Sequence, residues 1–164
     1  MKYFLRTLGF LWLLPATILV WTFYISWAWL FGLIIWKGWH SYLIAQFQLK
    51  NVDSWYAKLW KDWYGWSGPC VLIYKDKPGE WDDAWVARTK VHEADGHCVQ
   101  QFVFGIFHYP LYLLESVYLW LFKKDKHAYL DNRFERHARG VAGQQVDFTQ
   151  ADWPHGKGDR WPWW

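Results

Sequence analysis

The string His92-Glu93-Ala94-Asp95-Gly96-His97-Cys98 places two imidazoles, two carboxylates and a thiol within seven consecutive positions. Two neutral imidazoles and a carboxylate from elsewhere in a chain make a metal site. A second carboxylate beside it can take a proton from water that the metal has made acidic. The usual spacing is H-E-x-x-H, because residues i and i+4 stack on one helix face. Here the spacing is H-E-x-x-x-H. In a regular α-helix residues i and i+5 point about 140° apart, at roughly 100° per residue, so the two rings would diverge. A π-bulge absorbs one residue and restores the alignment, and such bulges are frequent at functional sites. Gly96 is the weak point at which the helix would deform.

An unbulged helix leads elsewhere. Glu93 and His97 would then share a face and form a carboxylate–imidazole pair, or a two-ligand site completed by Cys98 or Asp95. The blander alternative is a pair of core histidines hydrogen-bonded to Gln100, Gln101 or tyrosine hydroxyls. A third ligand is expected from a later helix carrying Glu135 and His137, 38 and 40 residues after His97. Glu135 could instead cap that helix, with Arg133, Arg136 and Arg139 as a solvated face.

The elements that must position these groups are dominated by apolar sequence. Thr7 to Trp36 contains no Asp, Glu, Lys, Arg or His. About 20 apolar residues suffice for a helix to cross a bilayer, so this stretch predicts a transmembrane helix, or a re-entrant one bent at Pro15. Lys2 and Arg6 before it resemble the start of a secretory signal, but the run is too long for one and is expected to be an uncleaved anchor. Lys2 and Arg6 argue for the N-terminus inside, whereas Lys37, Lys50, Lys58 and Lys61 argue for the following segment inside. Of the 164 residues, 17 are Trp. Trp12, Trp21, Trp27, Trp29, Trp36 and Trp39, then Trp55, Trp60, Trp63 and Trp66, bracket the apolar runs as interfacial aromatic residues do. The net charge of +3 comes without a basic block, which argues against a nucleic-acid partner and leaves the lipid bilayer as the expected one. Cys70 and Cys98 could pair once or both stay reduced.

The helical pattern of the first run extends to about Gln48, as an interfacial segment. Asn51 to Tyr64 predicts an amphipathic helix capped by Asp53. Cys70 to Tyr74 is a short β-type run, Asp76 to Gly79 a turn, and Ala84 to Arg88 a returning strand, together a short β-hairpin. Thr89 opens the helix that carries the cluster and runs to about Phe104. Gly105 and Pro110 interrupt it. Tyr109 to Phe122 is a second apolar helix, and 99–122 reads as an interfacial helix pair or a span. Glu115 within it either pairs with His108 or marks the wet side. Lys123 to His127 returns the chain to water. The last helix starts near Asn132, which has capping-box spacing to Glu135, and would bury Phe134, Ala138 and Val141. The expected organisation is an anchor helix with its interfacial extension over 1–50, a helical domain with the hairpin over 51–150, and a Trp-rich tail over 151–164. The fold class is mainly α.

From about Gly68 to Arg139 the chain resembles small bacterial membrane-associated proteins of zinc-metallopeptidase type. The resemblance is carried by His92, Glu93, His97 and Gln100, by Pro110-Leu111-Tyr112-Leu113-Leu114, and by Tyr129, Asn132, Phe134, Glu135 and Ala138. The extra residue before His97 departs from the family pattern. The resemblance implies zincin-like helices, a zinc cofactor held by His92, His97 and Glu135, and Glu93 as general base. It implies a membrane-associated hydrolase, a peptidase acting on a peptide substrate or a membrane-protein partner, at the bacterial inner membrane. The alternative is a non-catalytic structural or interaction protein of the membrane, such as an envelope or virion component, that keeps a degenerate form of the metal site.

Overall fold

The computed structural model describes residues 2–58, 64–76, 82–123 and 126–144. About 62% of the described residues are helical and 17% lie in strands, a mainly α fold. Leu59 to Trp63, most of the Asp76–Gly79 turn, part of the cationic turn and the Trp-rich tail lie outside the described residues.

The N-terminal run is helical as α1 (Lys2–Val20), a π-helical turn (Trp21–Ile25) and α2 (Ser26–Leu30). Pro15 sits inside α1 without ending it. Phe4–Leu30 and Asp83–Phe122 are each long and apolar enough to cross a membrane. The helix stops at Leu30, just before Gly32, so the expected extension to Gln48 is not helical. It is instead a β-hairpin of β1 (Ile34–Ser41) and β2 (Ile44–Leu49). The cause is legible in retrospect: Ala45, Phe47 and Leu49 alternate with Gln46 and Gln48, a period of two that suits a half-buried strand.

Only Trp55–Lys58 (α3) of the expected 51–64 helix is described as helical. β3 (Gly65–Gly68) and β4 (Val71–Tyr74) complete one sheet in the order β1-β2-β4-β3. β2 and β4 are parallel, with Ala45 beside Val71 and Phe47 beside Ile73, and the outer pairs are antiparallel. The apolar run at β4 is therefore a central strand buried on both faces. Its hairpin partner is β3, not the expected Ala84–Arg88, which is helical. The sheet also joins residues on either side of position 50.

The two faces of the sheet hold separate cores. Ile44, Leu72 and Tyr74 pack with Leu13, Val86, Ala94, Cys98 and Phe102. Ala45, Phe47, Leu49, Val71 and Ile73 pack with Ile25, Ala28 and Ile34. Across the first face lies one long helix: α4 (Asp83–Val91), a π-helical segment (His92–Cys98) and α5 (Val99–Phe104). It starts six residues earlier than Thr89 because Asp82 caps it, its carboxylate accepting from the Ala84 N–H at 2.9 Å; this is ordinary N-capping. A 3₁₀ turn at Gly105–Phe107 leads to α6 (His108–Phe122), and α7 (Arg133–Val141) follows. Pro110 falls in the first turn of α6, where a missing N–H costs nothing.

Candidate metal centre

The π-helical segment covers the whole H-E-x-x-x-H string. Its wider turn returns His97 to the side of His92, and the rings meet edge-on with centroids 4.9 Å apart. α7 crosses this segment, and its approach depends on Gly96. A Cβ there would lie 2.6 Å from Cβ and 2.8 Å from Cα of Ala138, so only glycine admits the crossing. The buried side of α7 is Glu135, Ala138, Arg139 and Ala142, whereas Val141 is exposed. Charged groups thus occupy part of the stripe that composition alone assigns to Phe134, Ala138 and Val141.

Glu135 is held in place from its own N-terminus. Asn132 caps α7, its Oδ1 accepting from the Phe134 N–H at 2.9 Å, while its amide donates to the Tyr112 carbonyl at 3.0 Å and to Ser116 Oγ at 2.8 Å. Asn132 therefore ties α7 to α6. Glu135 does not complete a capping box: its carboxylate turns to the histidines. Nε2 of His92 lies 3.3 Å from Oε2, and Nε2 of His97 lies 3.1 Å from Oε1. One ligand atom from each of the three buried residues falls within 4.8 Å of the other two. Ligand atoms about 2.0–2.2 Å from a tetrahedral ion are themselves about 3.3 Å apart, so the three donors, within 4.8 Å of one another, could hold a metal ion once they draw slightly together. Among the described residues Oε2 of Glu135, although buried, meets only Nε2 of His92 at 3.3 Å and Nη1 of Arg139 at 3.8 Å, which leaves lone-pair capacity that a cation would satisfy.

The electrostatics follow from burial. Burial alone would raise the carboxyl of Glu135, but charge on His97 and hydrogen bonds from His92 and His97 outweigh it and hold it well below the usual range. Burial alone would lower His97. The facing carboxylate of Glu135, then Glu93 and the bond to Gln100, reverse this and bring it to about 9. In the metal-free protein the three residues form a buried ion-paired cluster, with Arg139 Nη1 3.8 Å from Oε2. The hydroxyl of Tyr112 donates to Oε1 of Glu135 at 2.9 Å, and burial together with the charge of Glu135 pushes the Tyr129 hydroxyl well above its ordinary value.

A second layer fixes the ring of His97. Gln100 donates through Nε2 to the Phe134 carbonyl at 2.8 Å, which orients its amide. Its Oε1 then faces Nδ1 of His97 at 2.9 Å and Nε2 of His108 at 3.0 Å. An amide oxygen only accepts, so His97 carries a proton on Nδ1 and is free to present Nε2 to a metal.

Glu93 is buried beside this group, and its charge acts on His97, Tyr112 and Tyr129. It packs on the edge strand β3, where a Cβ on Gly65 would come 2.6 Å from its Cγ. The other sequence candidates go elsewhere. His137 is exposed and meets Gln100 at 3.1 Å through Nδ1, outside the ligand group. Cys98 points into the core, its Sγ toward the carbonyls of Gly68 and Val71. Cys70 and Cys98 are both free thiols. Asp95 bonds to Arg6 at 3.3 Å and His40 at 3.2 Å. Glu115 pairs with Arg133 at 2.8 Å and not with His108. Sequence reasoning assigned no role to Tyr112 or Tyr129; it offered His108 as a partner for Glu115 and placed Arg139 on a solvated face, whereas Arg139 is buried against Glu135. The signal for the tyrosines was only positional, since Tyr112 and Tyr129 fall in the strings that carry the resemblance.

No protein-family model matches the chain, and neither does any curated protein or solved structure.

Proposed function

We propose that the chain is a membrane-associated, metal-dependent hydrolase, with a peptide as substrate and zinc as the metal. The observation that carries the reading is the convergence of His92, His97 and Glu135 across a π-helical segment. A π turn is rare and is frequent at functional sites, and here it compensates for the extra residue in the motif.

His92, His97 and Glu135 would hold the ion, which supplies Lewis acidity and makes water a competent nucleophile near neutral pH. Glu93 lies on the same segment, one residue from His92. As general base it accepts the proton of the attacking water and returns it to the leaving amine. Tyr112 positions the Glu135 carboxylate, and Gln100 holds the tautomer of His97. The exposed apolar and Trp residues of the N-terminal helix and of α6 supply the membrane association.

The test is Glu93→Gln, which keeps size and removes the base. Hydrolysis of a fluorogenic peptide library presented in detergent micelles should fall to background while bound metal is retained. Activity equal to the parent's would reject Glu93 as the base.

One observation favours a second reading, a non-catalytic structural or interaction protein of the membrane. Without metal, Glu135 is already engaged by His92, His97, Arg139 and Tyr112, so the cluster can serve as a structural ion-paired core. A protein that is equally stable with and without metal, and inert toward peptides, belongs to that class.

A further inference from the structure

The N-terminal helix has two faces with opposite demands. One face touches the sheet domain along its length. Arg6 donates to Ser41 Oγ at 3.1 Å and meets Asp95. Thr7 bonds to Tyr42 at 3.2 Å, and Gly9 lies against Phe102. Leu13 is fully buried with Ile44 and Leu72. Farther along, Thr17 approaches Cys70, and Trp21 Nε1 donates to the Pro69 carbonyl at 3.3 Å. Ile25 and Ala28 enter the second core. At ~1.5 Å per residue, Arg6 to Ala28 is about 33 Å of helix.

The opposite face is bare and apolar: Leu5, Leu11, Ile18, Phe23 and Leu30 are each more than half exposed. It continues onto the segment after α5. The indole of Trp12 rests on Gly105, and its ring lies 6.0 Å from that of Phe107. Ile106 and Phe107, then Leu113, Leu114 and Leu121 of α6, extend the same exposed character.

A helix of this length set upright would fill the hydrocarbon, which is about 30 Å thick. The sheet packed along it would then be in hydrocarbon too. That places Gln46, Gln48, Lys37 and the outer edge of β1, which pairs with no strand among the described residues, among lipid tails, where an open sheet edge does not occur. The contacts of α1 with the sheet are incompatible with an upright helix.

We infer that α1 does not cross the bilayer but lies in its plane, and that the joint bare face of α1, the 105–107 turn and α6 is embedded in a single leaflet. The embedded occupant is lipid, and the sheet domain with His92, His97 and Glu135 stays on the side from which the protein inserts. Charge complementarity agrees with this. Lys50 reaches toward Gly32 at the end of the first apolar helix, with Nζ 3.9 Å from the Cβ position there, and Lys123 ends α6. Both are exposed and can meet anionic headgroups at the rim of the apolar face. The arrangement also removes the conflict between the two cationic flanks, because both lie on one side. This inference rests on the membrane residence proposed above and is independent of the metal.

The experiment uses the full-length chain in vesicles of mixed zwitterionic and anionic phospholipid. Flotation with the vesicles tests residence itself, and failure to float removes the membrane reading altogether. For floating protein, Lys2→Cys and Lys37→Cys are made separately and treated with a membrane-impermeant maleimide. Both should label fully from the side of addition, with no gain on permeabilisation; the native thiols are buried. Labelling of the two from opposite sides would establish a crossing and overturn the inference. Spin labels at Leu5, Ile18 and Leu30 provide the second measurement. Equal, shallow depths support the in-plane helix, and a depth that peaks at the middle site overturns it.

Discussion

His97 and Glu135 face each other with Nε2 3.1 Å from Oε1, although 38 residues separate them in the chain. Two local features make the meeting possible. The π-helical segment turns His97 toward His92, and the glycine between them lets α7 come close enough to deliver the carboxylate.

Gly96→Ala tests that closeness directly. Its new methyl would fall 2.8 Å from the Cα of Ala138, a backbone atom that cannot move aside alone. Overpacking of this kind costs about 1–3 kcal/mol. Thermal unfolding in detergent should show the loss, and metal affinity should fall with it as Glu135 is pushed outward. A variant with unchanged unfolding and affinity would mean that α7 does not cross at this point.

Gln100→Leu tests the layer behind the ligands. It removes the acceptor for Nδ1 of His97 and frees the ring to change tautomer and tilt. Loss of such a partner lowers metal affinity by roughly 10- to 100-fold. Competition with a chromophoric chelator measures it. Gln100→Glu, which keeps an acceptor, should retain more affinity than the Leu variant.

The buried cluster makes stability and metal binding depend on pH in opposite ways. His97 is raised to about 9 in the metal-free protein. A raised imidazole contributes stability that is fully present below its ordinary value of about 6.5 and is lost as pH rises through 9. Glu135 is depressed, so its contribution is present above the ordinary carboxylate value and is lost as pH falls toward its folded one. Chelated protein should therefore melt at its highest temperature between about pH 4.5 and 6.5, the window in which both contributions are complete. Metal must displace the proton from His97, so affinity should climb from pH 6 to 9 and calorimetry at pH 7 should record about one proton released. Affinity that is flat over this range would show that His97 is not a ligand.

The sequence revealed the site better than the scaffold. His92 and His97 were legible as candidates from residue type and spacing, and so was the π-helical remedy, because an i, i+5 pair on a regular helix has no common ligand point; residue type left Glu135 and His137 both open, and Glu135 was what the resemblance implied. The four-stranded sheet was not. Ile34 to Leu49 continues an apolar run, and its alternation of Ala45, Phe47 and Leu49 with glutamines is brief enough to be absorbed into a helical reading. The partner of β4 was misplaced for a different reason: Gly65-Trp66-Ser67-Gly68 has no strand-forming pattern and pairs only because β4 presents its edge. The capping function of Asn132 was visible from its type. The turning of Glu135 away from that cap was not, since it depends on imidazoles that come close only in the fold. Arg6 was read as a flanking charge, yet it is buried against Asp95, a pairing that spans 89 positions.

Zinc content of the purified full-length protein tests the central claim most directly. Elemental analysis should find close to one zinc per chain, removed by chelation with a drop in melting temperature, and absent from both His97→Ala and Glu135→Ala. Metal-free protein whose melting temperature does not respond to added zinc or to chelator would contradict the account and leave His92, His97 and Glu135 as a structural ion-paired core.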